Sequence, residues 1–261
     1  MDTKQQIMTM KILKFSLLTA ILGIGLWSCN KEENSPSNNT LKIEKIFSNQ
    51  KGTGLVNPKE FAELHNQYLF EALGYATTND VSAEEALLML NIPNIDDNKK
   101  TEIVNAYSTM TEQQMKNETF THFIDPIAIT HYQNVETILN NAIDLADLNN
   151  KLDIEINQIN QNLNGSDWDI VMVYLETIRS SAYIWFSAER GGSGIGYAYA
   201  QTSLNHVGRD RPKWVSADGV GAGLGMASWS FSAFFGPVGW VGLLGATVYG
   251  AVTSSLASNK V

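Results

Sequence analysis

The sequence predicts an all-α protein: a helical body with a long αα-hairpin, then a Gly/Ala-rich hydrophobic helical hairpin. Three observations predict this. Apolar residues recur at three- and four-residue spacing through the middle of the chain. Helix-starting residues and helix-stopping Gly and Pro punctuate that spacing. From Gly219 to Asn259, 41 positions carry no charge, and nine of them are Gly and six Ala.

The 261 residues suffice for one or two domains. Against 18 basic residues stand 27 acidic ones, a net charge of −9. Phosphate needs a basic surface, so no nucleic acid is expected as a partner. A hydrophobic fraction of 44% excludes a wholly disordered chain. A single cysteine excludes an intramolecular disulfide and a multi-cysteine zinc site.

Residues 1–28 read as a signal peptide. Lys11 and Lys14 precede an apolar run from Phe15 to Trp27, too short for a comfortable transmembrane helix. Met10 to Ser28 already holds that whole architecture. The run ends in Leu26-Trp27-Ser28-Cys29, which resembles a bacterial lipobox: Leu three residues before the cysteine and small Ser28 directly before it. The resemblance implies cleavage before Cys29, its acylation (palmitate among the chains) and anchorage in a bacterial outer membrane. Three acyl chains would anchor stably where one binds only marginally. The other reading is a plain hydrophobic helix with an incidental cysteine. Lys31-Glu32-Glu33 resembles the surface-export signal of one group of Gram-negative lipoproteins, which implies outward display; a charged solvated linker is the alternative. Residues 29–52 form a tether, Ser/Asn/Pro-rich from Asn34 to Thr40. Leu41 to Phe47 alternates as a short strand or an extended lead-in.

The helical domain spans 53–190. Asn57 as N-cap and Pro58 at the first position open a helix whose apolar face carries Phe61, Leu64 and Tyr68, with Gly74 as its stop. Ser82 and Glu85 form a capping box for a second helix, stopped by Pro93. A third is expected from Asp97 to Phe120. A fourth shows four heptads of an a/d seam: Ile138, Ala142, Leu145, Asn149, Leu152, Ile156, Ile159, Leu163. Asn164-Gly165-Ser166 breaks it, and Ser166 with Asp169 begins a fifth helix that Gly191 and Gly192 end. Three turn residues between two long helices predict an antiparallel αα-hairpin within the chain. An intermolecular coiled coil is the competing reading.

Residues 191–218 read as a Gly-rich hinge and a basic loop. Gly191 to Gly196 superficially looks like a phosphate loop, but no Gly-Lys-Ser/Thr follows. Arg209, Arg211 and Lys213 precede Trp214. They fit a solvated loop, or a lipid-headgroup contact with an interfacial tryptophan anchor.

Residues 219–259 form two arms divided by Gly236-Pro237-Val238-Gly239. Gly219, Gly223 and Ala227 line one arm; Gly242, Ala246, Gly250 and Ser254 line the other. Small residues every four positions let another helix approach closely. The tail resembles the Gly-zipper segments of small bacteriocins and pore-forming hairpins, and the tails of certain uncharacterised secreted bacterial proteins. The resemblance is compositional, over about 40 residues. The resemblance supplies no diagnostic residue; from the residues themselves, contact with a membrane or a partner helix is expected through Trp229, Trp240, Gly242, Ala246 and Gly250. The alternative is a buried core hairpin in a structural or ligand-binding module, because Gly costs about 1 kcal/mol against Ala in a helix and demands a packing reason.

No catalytic constellation stands out. The four histidines, His65, His122, His131 and His206, include no H-E-x-x-H, and no G-x-S-x-G occurs. His122 and His131 flank one segment with Asp125 between them, as a loop metal site would; partly buried or surface histidines are the simpler reading. The expectation is a non-enzymatic envelope protein with no cofactor and no metal.

Overall fold

The computed structural model describes residues 51–53, 56–81, 83–91, 97–196, 198–199 and 212–232. Among them are eight α-helices and no strand, so the all-α class holds. The helices are α1 (Pro58–Asn79), α2 (Ala83–Leu88), α3 (Asp97–Thr109), α4 (Glu112–Thr121), α5 (Ile127–Asn140), α6 (Leu145–Asn162), α7 (Gly165–Trp185) and α8 (Pro212–Ser232).

Asn57 caps α1 as expected: its side chain accepts from the Lys59 N–H at 3.1 Å, with Pro58 in the first turn. Gly74 does not stop the helix. Ala72, Leu73 and Ala76 keep burying apolar surface through that point, and α1 ends at Asp80, a non-glycine residue at φ 56°.

The expected third helix is two. Thr111 breaks it by starting α4 with a reciprocal cap: Gln114 N–H donates to Thr111 Oγ1 at 3.2 Å, and Thr111 N–H donates to Gln114 Oε1 at 2.8 Å. The heptad helix also divides. The chain leaves α5 at Asn140 and re-enters at Asp144, whose carboxylate accepts the Asp147 N–H at 2.8 Å. Arg190 occupies the break, donating to the carbonyls of Ala142 at 2.7 Å and Ile143 at 2.8 Å. Those carbonyls would otherwise lack partners.

The predicted αα-hairpin is α6 and α7. Trp168 Nε1 donates to Asn160 Oδ1 at 2.8 Å near the turn, and Arg179 pairs with Asp153 at 2.7 Å farther along. Leu152, Ile159 and Leu163 of the seam are buried within the chain, which favours the intramolecular packing over a coiled coil between chains. Asn149 is enclosed with its Oδ1 unpartnered. Helix α7 opens at Gly165 after Asn164, and the Asn164 side chain makes no capping bond. Asp169 accepts instead from the N–H and hydroxyl of Thr53 at 2.9 and 2.6 Å.

Helix α7 is the axis of the bundle. It is buried without interruption from Asp167 to Ile178 and packs against α1, α5, α6 and α8. Helix α8 runs antiparallel to it: Trp214 meets Trp185, Gly219 meets Tyr174 and Ile178, and Gly223 meets Tyr132 and Tyr174. Residues 214–227 of α8 are all buried. A helix that is apolar on every side is stable only inside a core or a membrane.

The Gly-rich stretch is not a hinge. Gly192 N–H donates to Ser187 O at 3.0 Å, Gly194 N–H donates to Phe186 O at 3.1 Å, and Gly191 and Gly194 take positive φ of 81° and 70°. A Cβ at Gly196 would lie 2.4 Å from the Trp185 ring. The turn is clamped onto the end of α7. The tail helix also starts earlier than expected, at Pro212, so residues 212–218 belong to it and not to a basic loop.

Candidate functional site

From Trp214 to Ser232 the tail helix carries one charge, Asp218, and it lies at the middle of the bundle. The Ser181 hydroxyl and Trp185 Nε1 of α7 both donate to its Oδ2, the indole at 2.8 Å. His65 of α1 brings its Nε2 to 3.4 Å from Oδ1. All four residues have zero exposure. Neither Oδ1 nor the His65 Nε2 makes an aligned hydrogen bond. The cage thus holds one carboxylate oxygen firmly and the other only by approach. Beside it, Asn66 Nδ2 donates to the Ser180 carbonyl at 2.9 Å and to its hydroxyl at 2.6 Å, fastening α1 along α7.

Ser, His and Asp are the residue types of a hydrolytic triad, but the order here is inverted. The carboxylate stands between the other two, and the serine donates to it rather than to the imidazole. A triad needs the imidazole beside the nucleophile and an open approach for substrate. This cluster has neither and holds α8 to α7 and α1.

A second polar cluster lies farther along the bundle. Lys116 pairs with Glu112 at 2.8 Å and Glu136 at 2.6 Å, while the Ser216 hydroxyl of α8 donates to Glu112 at 2.7 Å. Burial opposes the Lys116 charge, yet its bonds to the two carboxylates hold the ammonium above its ordinary value. Next to it Tyr132 and Tyr174 stack face to face, centroids 3.6 Å apart and planes within 7°. Both hydroxyls are enclosed without a partner. Burial pushes both phenols well above their usual range, so neither releases a proton near neutral pH.

No family model, no curated protein and no solved structure matches the chain.

The three residues of the loop metal reading do not converge. His131 gives Nδ1 to Glu155 at 2.7 Å, with Asn162 Nδ2 3.3 Å from its other nitrogen. His122 ends α4, its Nε2 3.7 Å from Glu118. Asp125 caps its own turn through Ile127 N–H at 2.9 Å, and its backbone N–H donates to Asp167 at 2.7 Å. Among the described residues no three His, Cys, Asp or Glu side chains are grouped to hold a metal ion. His65 does belong to a cluster, with a partner 153 positions away that no spacing pattern links to it.

Of the residues expected to meet a membrane or partner, Trp229 lies in α8, two positions past Ala227, where the continuous burial ends, and its side chain is outside the described part. Cys29, Trp240, Gly242, Ala246 and Gly250 also lie outside the described residues, as do Arg209, Arg211 and His206. Trp214 is not an interfacial anchor: it is buried, its ring 4.8 Å from that of Trp185. No described helix is long and apolar enough to cross a membrane.

Proposed function

We propose a non-enzymatic, lipid-anchored protein of a bacterial outer membrane, facing outward, in which the two arms of the hydrophobic tail do different work. The first arm is core of the helical bundle. The second, with Trp240 and the Gly242/Ala246/Gly250 stripe, contacts a membrane or a partner helix. The observation that carries this division is the unbroken burial of residues 214–227 between α7, α5 and α4. Residues 214–227 already have their apolar partners. The Gly242/Ala246/Gly250 stripe belongs to a later segment that contains no charge through Asn259. The anchor rests on the lipobox-like Leu26-Trp27-Ser28-Cys29, and outward display on Lys31-Glu32-Glu33. A second reading, a structural or ligand-binding module whose whole tail is core, draws on the same burial.

Vesicle flotation separates the two readings. A chain beginning at Asn30 is compared with one also ending at Gly236, which leaves α8 intact. Flotation of the longer form alone supports a contact role for the second arm. Flotation of neither, with a lower melting temperature for the shorter form, supports the core reading. Labelled palmitate incorporated by the wild type and lost in Cys29→Ala tests the anchor independently.

A further inference from the structure

We propose that Asp218 is the residue that keeps α8 inside the protein and out of a bilayer; the proposal rests on the envelope reading only for the presence of that bilayer. Helix α8 has no apolar stripe set against a polar face, because every position from 214 to 227 is buried. Its Gly219 and Gly223 form a smooth surface against Ile178, Tyr174 and Tyr132. The same smoothness suits close packing beside another helix among acyl chains. Apolar content and small residues therefore do not choose between the two surroundings.

Asp218 does choose. It is the only charged residue from Trp214 to Ser232, and none follows through Asn259. In the bundle Ser181 and Trp185 donate to its Oδ2 and His65 stands 3.4 Å from its Oδ1. Acyl chains offer no donor, and an ionised carboxylate near a helix centre shifts partition away from lipid by roughly a hundredfold. The cage thus does two things. It satisfies the carboxylate where α8 belongs, and together with the Ser216–Glu112 bond and the close fit of Gly219 it fixes the rotation and register of the helix. A buried polar group used to specify arrangement is the best-attested role for such a residue.

The full chain is mixed with phosphatidylcholine vesicles carrying a photoactivatable diazirine on the acyl chain, and labelled peptides are mapped by mass spectrometry. Residues 212–232 of the wild type are expected to stay unlabelled. In Asp218→Leu their labelling is expected to rise at least roughly tenfold. Ser181→Ala loosens the cage but keeps the charge, and should leave residues 212–232 unlabelled. Labelling of that peptide in the wild type overturns the proposal. So does a helical Asp218→Leu that stays unlabelled, or a Ser181→Ala labelled as strongly as the leucine variant, which would make loss of stability the cause. If Asp218→Leu does not fold, Asp218→Asn, close in shape and uncharged, takes its place under the same criteria. A failure of acylation would show on the Cys29 peptide, so it cannot be confused with a failure here.

Discussion

The indole nitrogen of Trp185 donates to Asp218 Oδ2 at 2.8 Å in a place where neither residue has any exposure. Loss of this donor leaves a wholly buried carboxyl oxygen with one partner fewer in the interior, where an unmet polar group is costly. Trp185→Phe keeps most of the ring packing and removes the donor. It should lower unfolding stability by about 2–3 kcal/mol. Trp168→Phe is the control, since Trp168 donates to the neutral, part-buried Asn160 Oδ1 at 2.8 Å. That change should cost about 1 kcal/mol. Urea unfolding of both variants measures the difference.

The two tail glycines facing α7 should respond differently to alanine. A Cβ at Gly219 would stand 2.6 Å from Ile178 Cγ1, and both Ile178 and Gly219 lie in the core. Gly219→Ala is expected to destabilise by about 1–3 kcal/mol through overpacking. At Gly223 the nearest atoms, of the Tyr132 ring and hydroxyl, would be 3.3 Å away. A shift of a few tenths of an ångström relieves that contact, and alanine gains about 1 kcal/mol of helix propensity. Gly223→Ala should leave the thermal midpoint near that of the wild type.

Lys116 separates two carboxylates that would otherwise face each other. Lys116→Met leaves Glu112 and Glu136 without their shared cation. Removing one partner of a fully buried pair costs about 3–5 kcal/mol. Glu112 and Glu136 keep side-chain exposures of 28% and 31%, and water screens them in part. A loss of about 2 kcal/mol is expected. Denaturant unfolding of Lys116→Met beside the wild type measures it.

Glu176 gives a pH dependence of definite sign. Burial is the main cause that raises its carboxyl above the ordinary 4.5, and Arg179, 3.5 Å away, offsets this only in part. A raised folded-state value favours the protonated form. The group's contribution is therefore most favourable below the unfolded value and is lost as pH rises through the folded one. Glu176→Gln should stabilise the protein at neutral pH, and the advantage should vanish below pH 4.5. Equal gains at both pH values would contradict the sign.

Local chemistry was readable along the chain wherever a short pattern and its tertiary use agree. Asn57-Pro58 starts a helix in both sequence and structure because cap and first turn lie within four residues. The hairpin of α6 and α7 follows from a short connector. Thr111 and Gln114 could have been found the same way, since the pair is a complete capping box. Patterns misled where long-range contacts took over the residue. Asp169 looked like part of a helix start and serves Thr53, 116 positions away. Gly191 to Gly196 looked like a hinge, but the flexibility of glycine is used there to let backbone and ring close on Phe186 and Trp185.

By itself the sequence determined that the chain is helical, where α1, α2, α3 and α7 begin, and that no charge follows Asp218 through Asn259. The first two follow from side-chain periodicity and from local hydrogen bonding, which act over a few residues. Only the tertiary structure decided that residues 214–227 face protein on every side, and that His65, Ser181, Trp185 and Asp218 meet. A uniformly apolar helix carries no periodic signal of what surrounds it. The partners of Asp218 come from two other helices, brought together only when the core closes.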